Sequence, residues 1–195
     1  MLDVNTLIKR LNIEEKISLL TGFNSWYSNK IPRLRIPSIK MSDGPNGVRG
    51  DSTSGKSSAC FPCPISMGST WNKKLIKKIG TALGEEALDK DVDVLLGPTI
   101  NLHRHPLGGR HFENFSEDPI LTGKIAVSYV KGVQSKKVSA CLKHFVANDT
   151  EFERHTVSSN LDERTLREVY LLPFEMGVKK AKAKSVMSAY NKLNN

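Results

Sequence analysis

The stretch from Val138 to His155, VSACLKHFVANDTEFERH, constrains this chain more than any other. It opens as a short apolar run that reads as a buried strand. It then breaks at once into Lys143, His144, Asn148, Asp149, Glu151, Glu153, Arg154 and His155. A rigid strand end that empties into hydrogen-bonding side chains is how α/β enzymes hold polar groups in place. The same arrangement recurs along the chain. Residues 38–41 run into Ser42-Asp43-Gly44-Pro45, residues 92–96 into Gly97-Pro98 and then Asn101, His103 and Arg104, and residues 185–189 into Tyr190-Asn191. The four runs predict parallel strands whose C-terminal ends share one face.

Helical patterns fill the intervals. Asn12 with Glu15 three residues on suggests a capping box opening a helix with Ile13, Ile17 and Leu20 as its apolar stripe. Residues 72–90 carry Leu75, Ile76, Ile79, Leu83 and Ala87 on one side, and Asp118-Pro119 supplies an N-cap and N1 proline for a helix to about Gln134. Asp162 starts another helix, and Pro173 begins a second helical piece rather than interrupting the first. Residues 50–58, GDSTSGKSS, read as a surface loop. Alternating strands and helices argue for an α/β fold with a parallel sheet, and long functional loops at the strand ends favour a barrel. A closed (β/α)8 barrel takes eight strands and typically ~250 residues. The 195 residues here give four visible strands, so the expectation is a partial (β/α)8 TIM-type barrel, an incomplete domain over 1–195.

Composition excludes several function classes. Hydrophobic residues make up 38% and charged ones 25%, within the soluble globular range. No apolar run approaches ~18–20 residues, and the N-terminus lacks a signal-peptide core, so a cytoplasmic location and no membrane partner are expected. The net charge of +9 includes four lysine doublets, three of them within or close to helix candidates, which reads as a solvated surface rather than a nucleic-acid site. Cys60 and Cys63 have CxxC spacing without a second pair, and read as incidental thiols. His103, His105, His111 and Glu113 are the metal-ligand candidates, but Arg104 and Arg110 among them make the setting electropositive, so no metal is expected. Gly108-Gly109-Arg110 lacks the pattern of a nucleotide loop, and no cofactor is expected. The mixture of Asp, Arg, Lys, His and Tyr at strand ends suits a neutral polyhydroxylated ligand, with Trp26 or Tyr190 available to cover a sugar ring. Asp43, Glu113, Glu117, Asp149 and Glu151 are candidate carboxylates for glycoside hydrolysis, where a gap of about 5–5.5 Å gives retention and a wider one inversion. Spacing alone does not pair them.

Five blocks then become recognisable: MSDGPNGVRG (41–50), FPCPISMGSTWN (61–72), VDVLLGPTINLHRHPLGGRHFENFSEDP (92–119), CLKHFVANDTEFERHTVSSNLDERTLREVYLLPFE (141–175) and SVMSAYN (185–191). In order and spacing they resemble glycoside hydrolase family 3, and specifically the N-terminal barrel of a β-glucosidase-like member. The resemblance implies retaining hydrolysis of terminal β-linked sugars in a full-length protein. It implies that Asp43, Arg110, Lys143, His144, Arg154 and Tyr190 surround the −1 sugar. It also implies that the nucleophile lies in an SDW-like block beyond Asn195 and the acid/base in a following domain. No catalytic residue is then expected in this chain, and a missing C-terminal domain would complete the site. The alternative is a non-catalytic carbohydrate-binding remnant or an inactive gene fragment. KHFVANDTE, in place of KHFPGHGDT, argues against the N-acetylglucosaminidase branch. His111 and His105 depart from the family pattern. Glu113 and Glu117 are expected to pair with Arg104 or Arg110 and hold their loop. Consecutive residues on an extended chain point to opposite sides. For Lys143 and His144 to face one sugar, the resemblance implies a cis peptide bond between them.

Overall fold

The computed structural model describes residues 3–50 and 56–195. The loop expected over 50–58 thus falls in large part, at 51–55, outside the described residues. The elements in chain order are α1 (Val4–Arg10), α2 (Ile13–Leu19), β1 (Met41–Asp43), α3 (Pro64–Ser69), α4 (Lys73–Asp89), β2 (Val94–Leu96), α5 (Pro119–Gln134), β3 (Ser139–Phe145), β4 (Ser158–Ser159), α6 (Glu163–Thr165), α7 (Leu172–Ala181), β5 (Ser185–Ser188) and β6 (Lys192–Leu193). Strands β1, β2, β3 and β5 form one parallel sheet in that order, and β4 pairs with β6. Each step across the main sheet passes through helix, which is the repeating unit of a (β/α)8 barrel. The fold is α/β, part of such a barrel. Because the strands are parallel, their C-terminal ends lie together.

The boundaries have local causes. Strand β1 begins at Met41 rather than at 38, because the Lys40 amide is taken by the Asp93 carboxylate at 2.8 Å. Strand β2 begins at Val94 because the Val92 amide still closes α4 on the Ala87 carbonyl at 2.9 Å. Strand β3 runs on to Phe145, past the expected end at 142. Asn12 and Glu15 make the expected capping box, and Asp118 caps α5 through the Ile120 and Leu121 amides with Pro119 in the first turn. Between α6 and α7 the chain stays helical through a π-turn, Leu166–Tyr170, and Pro173 stands in the first turn of α7.

The core lies between the sheet and helices α4, α5 and α7, with Ile76, Leu83, Leu95, Ile125, Val130, Val133 and Leu142 fully buried. Helix α2 departs from its pattern: Ile13, Ile17 and Leu20 are exposed. Leu11, Ile31 and Leu34 form a separate small cluster backed by Leu7, Leu19 and Ile36, and Arg33 pairs with Glu15 on α2. The stripe read from spacing is therefore not the face that packs. Leu75 is likewise 39% exposed at the edge of α4. Lys73, Lys74 and Lys77 of α4, Lys124 and Lys131 of α5 and Lys180 of α7 line one groove on the outer helical face. Among the described residues no helix is long and apolar enough to cross a membrane.

Helices α4 and α5 touch backbone to backbone. A β-carbon on Gly132 would lie 2.8 Å from the Thr81 nitrogen and 2.9 Å from the Gly80 carbonyl carbon. Alanine is the better helix former by ~1 kcal/mol. Gly132→Ala should nevertheless lower stability by about 1–3 kcal/mol, because overpacking outweighs propensity. Urea denaturation reads this as a lower midpoint at unchanged slope.

Candidate functional site

The polar groups gather where the sheet ends. Asp43 closes β1, and its Oδ1 accepts the Lys143 Nζ at 2.9 Å. Lys143 lies on β3 with its side chain 4% exposed. It also stands 4.0 Å from Glu113 Oε2, which accepts the Thr99 hydroxyl at 2.8 Å. Glu113 comes from the short 3-10 turn His111–Glu113 on the long loop after β2, and its other oxygen accepts the Arg110 Nε. Arg110 reaches on to Glu151 at 3.9 Å, and Glu151 holds Arg154 at 2.9 Å and accepts the Asn148 amide at 3.2 Å. Arg154 in turn lies over the Tyr190 ring, 5.1 Å from its centroid, beside His155 at 4.6 Å. A single chain of contacts thus runs from Asp43 through Lys143, Glu113, Arg110, Glu151 and Arg154 to Tyr190.

Glycine makes one of these approaches possible. Gly109 has φ +81, and a β-carbon there would stand 3.0 Å from the Glu151 Cγ. The bare backbone lets the Gly108–Arg110 loop lie against Glu151.

His144 is 5% exposed, and its Nδ1 is buried without a hydrogen-bond partner among the described residues. Burial, reinforced by the positive charges of Arg110 and Lys143, lowers its pKa from 6.5 to about 4, so the ring is neutral at pH 7. Asp43 goes the other way. Burial would raise its carboxyl, but the Lys143 ammonium and the hydrogen bonds to it hold it below the usual carboxylate value. The Lys143–His144 peptide bond is cis, as expected; Gly97–Pro98 and Phe145–Val146 are cis too.

Asp43 and Arg110 line a cavity of about 440 Å³ together with Arg49, Phe112 and Glu113. Lys143 and His144 are buried, while Tyr190 is exposed. Glu113 holds Arg110, as anticipated, whereas Arg104 lies 5.7 Å from the Tyr170 ring centroid. Glu117 is exposed on the surface. Trp26 does not reach this end; its carbonyl accepts from Met41 at the opposite end of β1. The His103 and His111 Nε2 atoms lie 2.9 and 2.5 Å from the carbonyls of His111 and His105 respectively, so both rings are turned onto backbone. Cys60, Cys63 and Cys141 are free thiols. Asp149 and Glu151 were candidates from sequence only as hydrolytic carboxylates, and their partners were not anticipated. Glu151 sits three residues before Arg154, a spacing that would have paired them. Asp149, whose carboxyl is pushed up by burial, accepts the Tyr170 hydroxyl at 2.7 Å from a residue 21 positions away.

The sequence matches the model of the glycosyl hydrolase family 3 N terminal domain over residues 5–195. The chain belongs to that family. It is 53% identical over 193 residues to a beta-glucosidase of Rhizobium radiobacter, covering 98% of this chain and 24% of that protein. It is 54% identical to a putative beta-glucosidase of Schizosaccharomyces pombe, with 98% and 23% covered. Among solved structures, the beta-glucosidase of Kluyveromyces marxianus in complex with glucose superposes with a TM-score of 0.96 at 46% identity, over 100% of this chain and 24% of that one. A Thermotoga neapolitana beta-glucosidase in complex with alpha-D-glucose gives 0.93 at 44% identity, over 98% and 30%. The chain thus spans about a quarter of the length of the curated relatives it matches.

Two measurements test these electrostatics. The His144 pKa is depressed in the folded state, so its contribution to stability is present above pH 6.5 and is lost as pH falls towards about 4. The urea midpoint should therefore drop across that window, and drop less in His144→Asn. A His144 ring already protonated at pH 6 by NMR would contradict the assignment. Glu113→Ala should cost about 3–5 kcal/mol in the same denaturation assay, because it strips the countercharge from a buried lysine and from Arg110.

Proposed function

We propose that this chain supplies the sugar-holding part of a β-glucoside hydrolase, with Asp43, Arg110, Lys143, His144, Arg154 and Tyr190 around a terminal glucosyl residue. The observation that carries the reading is the run of ion pairs from Asp43 to Arg154 at the strand ends, with a neutral imidazole beside it. An uncharged polyol needs fixed donors and acceptors in a site with little net charge. Asp43 offers a carboxylate to vicinal hydroxyls, Lys143 and Arg110 donate, and the Tyr190 ring gives an apolar face. The Kluyveromyces and Thermotoga relatives, each in complex with glucose, support glucose as the sugar. Residues 1–195 serve on this reading as part of one N-terminal barrel domain. In the whole protein the chemistry is retaining hydrolysis.

The catalytic carboxylates are proposed to come from outside these residues. Asp43, Glu113 and Glu151 each face a cation, which suits holding rather than proton transfer or attack. Asp149 has the raised pKa of an acid, but its carboxylate is engaged with Tyr170.

Calorimetric titration with D-glucose tests the reading. The chain should bind, and Asp43→Asn should weaken binding by roughly ten- to a hundredfold, the worth of a charge-assisted hydrogen bond. Failure of the folded chain to bind glucose would overturn the proposal. The same preparation should release no aryl alcohol from an aryl β-glucoside above background, with Asp149→Asn unchanged. Turnover abolished by replacing any carboxylate of this chain would place catalysis within it.

A further inference from the structure

We infer that Asn101 is a positioning residue that holds His144, and through it the imidazole, in place for the sugar; this rests on the proposed sugar-holding role of His144. Strand β2 ends at Leu96, yet the chain after it goes on pairing with β3. The Cys141 amide donates to the Gly97 carbonyl at 3.0 Å and the Lys143 amide to the Pro98 carbonyl at 3.1 Å. The Ile100 amide donates to the Lys143 carbonyl at 2.7 Å. One residue further, at His144, the Asn101 side chain takes over. Its Oδ1 accepts the His144 amide at 2.9 Å and its Nδ2 donates to the His144 carbonyl at 2.9 Å.

A primary amide carries one acceptor and a donor side by side, the complement of one residue's N–H and C=O. Asn101 therefore completes at His144 the pairing that backbone supplies at Lys143. It is 4% exposed, so water does not compete for either bond. The clamp matters because the His144 Nδ1 has no protein partner among the described residues. No described residue holds that side of the ring by hydrogen bonding. Its direction follows from the backbone that bears it and from packing. Aspartate in place of Asn101 keeps the acceptor and loses the donor, and alanine loses both.

The test uses the 195-residue chain, amide hydrogen exchange at His144, and D-glucose affinity by titration. In the wild type the His144 amide should be protected. Asn101→Ala should abolish that protection while core amides such as Leu83 and Val130 stay slow, and should weaken glucose binding about tenfold or more, the scale of a buried group left unpaired. Asn101→Asp should keep the amide protected yet still weaken binding. That split is not produced by general destabilisation, which would speed exchange throughout. If Asn101→Ala fails to fold, Asn101→Asp decides: glucose affinity within twofold of wild type overturns the inference. So does a folded Asn101→Ala chain with unchanged protection and affinity. If the wild type binds no glucose, the sugar reading falls by itself, and protection at His144 still judges the clamp.

Discussion

The carboxylate of Glu113 is buried, and it receives the Thr99 hydroxyl, the Arg110 guanidinium and, at 4.0 Å, the Lys143 ammonium. A lysine as deeply buried as Lys143 is tolerated only when countercharges and hydrogen bonds replace its water. Asp43 gives one of these and Glu113 the other. The two come from different strand ends, so β1, the loop after β2 and β3 are fixed to one another through one ammonium. Removing any member leaves an unpaired charge in a medium that screens poorly. The loop between Asn101 and Glu117, long and short of regular structure, is thereby tied to β3.

The network also sets the electrical character of the site. Asp43, Glu113 and Glu151 oppose Lys143, Arg110 and Arg154, and the remaining titratable group at its centre, His144, is kept neutral by its burial and by the two nearest cations. A site balanced in this way neither concentrates ions nor repels an uncharged ligand. Its donors and acceptors are held by one another, so little reorganisation is needed when a hydroxylated ring takes the place of water. The exposed Arg49, 4.0 Å from Asp43, adds a further cation at the rim.

Much of this was legible in the sequence because strand ends announce themselves. The switch from apolar run to polar cluster located all four strands of the main sheet, and of the arginines expected to pair with Glu113, Arg104 or Arg110, it is Arg110 that does. Errors arose where a distant group decided a local outcome. The β1 boundary depended on Asp93 claiming the Lys40 amide, 53 residues away. The stripe on α2 had correct helical spacing but the wrong neighbours, since the packing face is chosen by Ile31 and Leu34 rather than by periodicity alone. Glu113 as the junction of two strands, and Asp149 as the partner of Tyr170, are tertiary facts with no local signature.

The position of the site follows from how a parallel ladder stops. Within β1, β2 and β3 the backbone groups satisfy each other, and side chains need only pack. Past Leu96 the regular ladder stops, and β3 takes its remaining hydrogen bonds from the segment that follows. Pro98, Ile100 and then the Asn101 side chain provide them in sequence. Pro98 and Ile100 still offer backbone groups, and at His144 a side chain, that of Asn101, takes their place. Chemical individuality therefore begins where the repeating pattern ends. The same strand that is anonymous at Ala140 and Leu142 presents, over the next two residues, a lysine and a histidine.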